Sequence, residues 1–288
     1  MIADNYPTRH SETGNFITRK EDVVYKKPDC LSLSRTNSYI KDGFILIKDF
    51  FHLFTVKNAE IEADLLFNNK EYGLITMEPK KDFVRSITGI HNHYTFKDLA
   101  NDNILIGIVK SILGSDIYIH QSRINYKAGL GANGWSWHSD FETWHAQDGM
   151  PGMRCLTAMI PLVENTEYNG SLMVIPSSHE LFYSCRKEET VSAEENFADQ
   201  KEGVPPNDAI EKFFQYSGNR IEMIKCGPGD LVLFDCNTIH VSTPNMTPFK
   251  RTNIFFVYNS IENKLVDPFS VNEVRPEEMG SRKNIKVI

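Results

Sequence analysis

The order of apolar and polar positions divides the 288-residue chain into a helical front and a β-rich remainder. In GFILIKDFF (43–51) an apolar run meets a charged turn, which predicts a strand entering a helix. TVKNAEIEADLLFNN (55–69) and FKDLANDNILIGIVKSILG (96–114) repeat apolar residues at helical spacing, and Gly114 is placed to cap the second. From residue 116 the texture changes to short apolar runs parted by turn residues, with strands expected at 116–128, 154–163, 171–176, 230–236 and 251–260. Asn169-Gly170 and the GPGD stretch at 227–230 mark turns between them. Residues 201–218 read as a loop holding a short helix. The charge-rich stretch 181–206 reads as a solvated surface loop, with a mobile lid as the alternative. The polar first 35 residues read as an arm packed on a single domain, 36–288. Helices in front of many short strands predict a mainly β protein, an antiparallel barrel or jelly roll backed by helices.

Composition narrows the chemistry. With 41% hydrophobic and 24% charged residues the make-up is that of an ordinary globular protein, long enough to bury a sizeable core. A net charge of −7 and scattered basic residues argue against nucleic acid or an anionic membrane as the main partner. The longest apolar stretch, ILIGIV, is too short to span a bilayer, and the opening MIADNYPTRHSETG lacks the apolar core of a secretory signal. Cys30, Cys155, Cys185, Cys226 and Cys236 form no C-x-x-C pair. Reduced thiols in a cytoplasmic protein are therefore expected, rather than a disulfide framework or a cysteine zinc site.

The segment GWSWHSDFETWH (134–145) concentrates metal-binding side chains. If 136–142 are extended, residues two apart face the same way. His138 and Asp140 then point into one space, and so does Trp144 if the extension persists. An imidazole and a carboxylate on one face are two-thirds of the two-histidine, one-carboxylate set that holds non-haem iron(II) while leaving positions open. His240 in DCNTIHVSTPN and His179 in VIPSSHE both qualify as the third ligand. His240 is preferred, because Arg251 downstream could hold an acidic cosubstrate near the metal. His91, His93, His120 and His145 have no such support and read as surface or hydrogen-bonded structural histidines.

Read with period two, the strand at 116–128 puts Gln121, Arg123, Asn125 and Lys127 on one face, with His120 turned away from that row. If the row lines the metal cavity, Lys127 and Arg251 would neutralise a dianion, Arg251 gripping a carboxylate bidentately. Ser242 shares the parity of His240, and Phe255 that of Arg251, so these side chains would converge on one pocket.

Together IHQSRINYKAG, WHSDFETWHAQDGMPGMR, NGSLMVIPSSH, GDLVLFDCNTIHVSTPN and RTNIFFVYNSIEN resemble the ectoine hydroxylases. These lie in the phytanoyl-CoA-dioxygenase-like branch of iron(II)- and 2-oxoglutarate-dependent oxygenases, and the likeness covers nearly the whole chain. The resemblance implies a double-stranded β-helix, a cupin-like jelly roll, with iron at a catalytic centre of His138, Asp140 and His240. It implies 2-oxoglutarate and dioxygen as cosubstrates, the former held by Arg251, Lys127, Asn125 and Ser242, with Gln121 near both cosubstrate and substrate. Trp144, Phe255 and Arg275 match substrate-contacting positions. The two aromatics would cover a cationic amidine ring and Arg275 would pair with its carboxylate, although an arginine in such a tail ordinarily reads as solvated. The implied activity is hydroxylation of ectoine to 5-hydroxyectoine, a compatible solute made under stress, and relatives of this kind are often homodimers. Related halogenases lack the carboxylate ligand, so Asp140 favours hydroxylation.

The chain departs from the family pattern at Thr88, Thr157 and Val241, positions expected near the substrate. These departures motivate an alternative substrate, another small zwitterion such as a free amino or imino acid. A non-catalytic cupin-like binding protein is the rival from a different class.

Overall fold

A computed structural model describes residues 3–10, 14–187, 192–271, 274–283 and 285–288. In chain order the strands begin with β1 (Phe16–Thr18), β2 (Phe44–Ile47), β3 (Leu74–Met77), β4 (Val84–Thr88) and β5 (Ile117–Lys127). They continue with β6 (Trp135–His138), β7 (Cys155–Pro161), β8 (Leu172–Val174) and β9 (Leu181–Tyr183). The last are β10 (Glu222–Met223), β11 (Leu231–Asp235), β12 (His240–Ser242) and β13 (Arg251–Ser260). The helices are α1 (Leu33–Asp42), α2 (Leu53–Asn69), α3 (Tyr94–Ala100), α4 (Asn103–Leu113), α5 (Asp140–Thr143), α6 (Ala193–Ala198) and α7 (Asn207–Tyr216).

Two sheets form the core of a jelly roll. The larger has seven antiparallel strands in the order β2-β11-β7-β13-β5-β4-β3, the smaller four in the order β10-β8-β12-β6. Met159, Val232, Phe234 and Phe255 of the large sheet pack against Leu172 and Val174 of the small one, closing one end of the space between them. The outer face of the large sheet is covered by helices. Ile124, Ile254 and Phe256 are buried there with Ala63 of α2, Phe96 of α3 and Ile108 and Ile112 of α4. Fully burying each such side chain stabilises by roughly 1.5–3 kcal/mol, which makes this layer the main apolar core.

A β-bulge decides which residues of β5 face inward. Gln121 pairs with Val257, but the next pair is Ile119 with Tyr258, so His120 is an extra residue in the strand. Parity therefore switches at His120. Ile117, Ile119 and Ile124 all join the helix-side core, while Gln121 and Arg123 line the cavity on the other face.

The expected helix at 96–114 is two. The Asp102 carboxylate accepts from Ile104 and Leu105 N–H at 3.0 Å, which restarts the helix as α4, and Gly114 closes it at φ +64°. The polar front of the chain includes a helix the apolar pattern did not announce, α1, capped by Ser32 and Gly43. β1 pairs with β9, so the front segment is tied into the β structure. Among the described residues no helix is long and apolar enough to cross a membrane.

Candidate active site

His138 ends β6 and His240 begins β12, and the two are direct partners in the register. Their rings lie 4.2 Å apart between centroids. Asp140 follows two residues after His138, with Oδ1 3.7 Å from His138 Nε2. One ligand atom from each of the three falls within 4.8 Å of the others, and all three residues are buried.

The backbone fixes how the two imidazoles point. His138 Nδ1 meets the Ser136 carbonyl at 2.7 Å, and His240 Nδ1 meets the Thr238 carbonyl at 2.9 Å. A neutral ring donating from Nδ1 must present its Nε2 lone pair, which is the arrangement a metal ligand requires. Burial, then the neighbouring His138, pushes His240 down to about 4, so at neutral pH it stands uncharged. Burial alone would raise Asp140, but His138, His240 and Arg123 together hold its carboxyl well below the usual carboxylate range. Its Oδ2 is buried with no hydrogen-bond partner. Two imidazole nitrogens and one carboxylate with an orphaned oxygen fit a divalent cation such as iron(II).

Trp144 reaches the cavity, but not through extended backbone. Asp140–Thr143 is helical and runs into a π-helical turn at Trp144–Asp148. Asp140, Thr143, Trp144 and Gln147 recur at helical spacing, and all four line the cavity. His179 stays outside the ligand set: its Nε2 meets the Ile40 carbonyl at 3.0 Å, anchoring α1.

One end of the cavity is basic: Arg251 lines it, whereas Lys127, expected in the same row as Gln121, Arg123 and Asn125, is fully buried and not among the lining residues. Arg251 and Lys127 face each other across β13 and β5. Both donate to the Gly170 carbonyl, Arg251 at 2.6 Å and Lys127 at 3.4 Å, and Lys127 also donates to Ser242 Oγ at 2.9 Å. Gly170 sits at φ +82°, where a Cβ would stand 2.9 Å from Lys127 Nζ and 2.5 Å from the Thr243 carbonyl. The Asn-Gly turn thus lets backbone approach both basic side chains. Arg251 Nε has no partner. Asn125 and Ser242 line the same end, Asn125 steadied by Ser86 Oγ at 3.0 Å.

At the other end Gln121 is held from both sides. Its amide donates to the Met279 carbonyl at 3.0 Å and its Oε1 accepts from Arg123 at 2.5 Å. Arg123 lies 5.0 Å over the Phe255 ring and 3.9 Å from Asp140 Oδ1. Arg275 is no solvated tail residue. Its side chain is 6% exposed and grips Asp148 through Nε and Nη2, at 2.7 and 2.5 Å, while lining the cavity. His120 is buried too, meeting Asp148 Oδ2 at 3.1 Å and packing edge-on against Trp144. His145, between the Met150 carbonyl and Asp4, is structural.

Several lining residues were not anticipated: Trp135, Thr143, Gln147, Leu172, Asn196 and Gln200. Asn196 and Gln200 belong to the charge-rich stretch and line the cavity, while Arg186, Lys187, Glu195, Asp199 and Lys201 of it are exposed as expected; residues 188–191 lie outside the described residues. Glu202 closes the same stretch onto Arg9 at 2.6 Å, and Arg9 also clasps Glu142 in α5. Thr88, Thr157 and Val241 do not line the cavity. Thr88 and Thr157 are fully buried inside the large sheet, and Val241 is half-buried against Met173 in the small one.

Comparison with known proteins agrees with this geometry. Residues 39–253 match the family model described as phytanoyl-CoA dioxygenase (PhyH). The ectoine dioxygenase of Halomonas elongata is 39% identical over 95% of this chain and 84% of its own length. That of Streptomyces avermitilis is 37% identical over 98% and 97%. The crystal structure of EctD from S. alaskensis with 2-oxoglutarate and 5-hydroxyectoine superposes with a TM-score of 0.87 at 36% identity, covering 97% of this chain and 95% of that one. The carbocyclase SnoK, at 18% identity and TM-score 0.61 over 82% of this chain and 86% of its own, shares the fold. The chain belongs to the phytanoyl-CoA dioxygenase family, in the group of the ectoine dioxygenases.

Proposed function

We propose that this protein is an iron(II)- and 2-oxoglutarate-dependent dioxygenase that hydroxylates ectoine to 5-hydroxyectoine. The observation that carries the reading is the meeting, on the wall of one cavity, of the His138–Asp140–His240 set with Arg251, which has Lys127 as its register partner. Relatives named ectoine dioxygenase, and an EctD structure holding 2-oxoglutarate and 5-hydroxyectoine, supply the substrate.

In this account His138, Asp140 and His240 hold iron(II), which when bound supplies dioxygen activation coupled to decarboxylation of 2-oxoglutarate. Arg251 takes the distal carboxylate of 2-oxoglutarate as a planar fork, with Lys127, Asn125 and Ser242 completing its hydrogen bonds. Gln121, locked by Arg123 and Met279, borders both cosubstrate and substrate. Trp144 and Phe255 cover the cationic ring of ectoine, and Arg275, aimed by Asp148, meets its carboxylate. Substrate filling the cavity would keep solvent from the reacting C–H bond. Buried thiols such as Cys155 and Cys236 stay reduced in the cytoplasm, where the reading places the enzyme.

The alternative of another zwitterion rested on Thr88, Thr157 and Val241, and none of them borders the cavity. The test is coupled turnover. Purified protein with iron(II), ascorbate and 2-oxoglutarate should form succinate and hydroxyectoine one to one when ectoine is added. Succinate without hydroxyectoine would reject ectoine as substrate. Metal and 2-oxoglutarate binding with no succinate at all would favour the binding-protein reading.

A further inference from the structure

Orphaned polar atoms mark where the cavity expects a partner. Asp140 Oδ2, Arg251 Nε and Gln200 Oε1 are buried, belong to lining residues and have no hydrogen-bond partner. The first falls to the metal and the second to the carboxylate of the cosubstrate. The third is assigned to nothing. Buried amide oxygens in native proteins are almost always satisfied, so one left open on a cavity wall marks a ligand contact.

We propose that Gln200 is a specificity-determining residue that reads the cationic ring of the substrate, its Oε1 accepting a hydrogen bond from a ring N–H. This rests on the ectoine reading above and deepens it. An amidine ring carries delocalised positive charge and N–H donors, and therefore seeks aromatic faces and acceptor oxygens. Trp144 and Phe255 provide the faces. Two other acceptors on the wall are engaged: Gln121 Oε1 by Arg123, and Thr143 Oγ1 by Arg9 at 3.5 Å.

The backbone around Gln200 is pinned. Asn196 Oδ1 accepts from the Lys201 and Glu202 amides at 2.8 Å each. Glu202 accepts from Arg9 at 2.6 Å and from Gln147, itself a lining residue, at 2.8 Å. Gln200 is thus presented by a segment anchored to the same network that holds α5. Arg9 bridges Glu202 to Glu142, two residues beyond Asp140. A polar group built on so fixed a wall can discriminate between ligands.

The experiment compares wild type, Gln200→Leu and Gln200→Glu in the full-length iron-loaded protein. Two rates are read: ectoine-dependent hydroxyectoine formation, and slow succinate formation without ectoine. Gln200→Leu should raise the KM for ectoine about tenfold, as expected for loss of one hydrogen bond to a charged group. Ectoine-free succinate formation should stay unchanged, which also shows that the variant is folded. Gln200→Glu should keep the wild-type KM or lower it, because a carboxylate is a stronger acceptor for a cation. An unchanged KM in Gln200→Leu overturns the inference alone. So does equal damage by both substitutions, which would make Gln200 a donor or a packing residue. A wild-type protein that leaves ectoine untouched overturns the substrate reading, and this inference with it.

Discussion

His138 and His240 face each other across two strands, and each ties its Nδ1 to the carbonyl two residues before it. The register supplies the spacing and the backbone supplies the tautomer, so both Nε2 atoms are aimed before any metal arrives. Asp140, at the first residue of α5, completes the set by the turn from strand to helix.

Substituting Asp140 by Ala should therefore remove more than an outer partner. Iron affinity and turnover should each fall by more than the roughly 10–100-fold that loss of a supporting group costs. Iron content after desalting, read beside single-turnover succinate yield, checks this. Retained stoichiometric iron would refute the triad.

Arg251→Lys keeps the charge but loses the planar fork. The KM for 2-oxoglutarate should rise about 10- to 100-fold, equivalent to roughly 1.5–3 kcal/mol for a hydrogen bond to a charged group. The KM for ectoine should stay within about twofold, since that contact is made elsewhere. A titration of each substrate at saturating levels of the other separates the two.

Lys127 gives a signature in pH. Burial first, then Arg251 and Arg85, pushes its amine down to about 5 in the unliganded protein. The unfolded chain keeps the ordinary lysine value of ~10.4, so between about 5 and ~10.4 the folded state binds fewer protons and this group makes stability rise with pH. A bound dianion reverses the balance by favouring the ammonium. Binding of 2-oxoglutarate to the iron-loaded protein near neutral pH should therefore take up close to one proton, and its affinity should weaken as pH rises. Calorimetry in buffers of different ionisation enthalpy measures this uptake. Lys127→Met should abolish it; uptake surviving that substitution would place the proton elsewhere.

Thr157 carries a buried hydroxyl with no partner. Thr157→Val should stabilise the fold by about 1 kcal/mol, seen as a higher urea midpoint, by removing an unsatisfied group. The KM for ectoine should not move. A changed KM would mean that this departure from the family pattern reaches the substrate after all.

Arg9 stands between Glu142 and Glu202 with almost no exposure. Arg9→Ala leaves two buried carboxylates unpaired and should cost about 3–5 kcal/mol in urea denaturation. A loss below about 1 kcal/mol would show that the front segment is not needed to hold α5.

The strands at 116–128, 154–163, 171–176, 230–236 and 251–260 and the meeting of His138, Asp140 and His240 were legible in the sequence, because alternation and H-x-D spacing are local signals; short strands such as β3, β4 and β9 were not. β13 follows the expected bounds, 251–260, and the long strand at 116–128 is β5 to within a residue at each end. What escaped depended on local breaks in the pattern. Asp140, Thr143, Trp144 and Gln147 have helical spacing, but tracing the segment as extended from His138 hid Thr143 and Gln147. The bulge at His120 shifts parity without a sequence mark, and Asp102 splits an apolar run by a side-chain cap. Arg275, Asn196 and Gln200 look like solvated polar residues. Arg275 is held by Asp148 and the Asn196–Glu202 stretch by Arg9, partners so distant that no window of sequence contains them.

Hydroxylation at this cavity would put one oxygen atom of dioxygen into ectoine and the other into succinate. The most direct measurement is turnover of ectoine and 2-oxoglutarate by the iron(II)-loaded protein under isotopically heavy dioxygen, with products read by mass spectrometry. One heavy oxygen is expected in hydroxyectoine and one in succinate, formed in equal amounts. Heavy succinate with unaltered ectoine, or a hydroxylated product carrying no heavy oxygen, would contradict it.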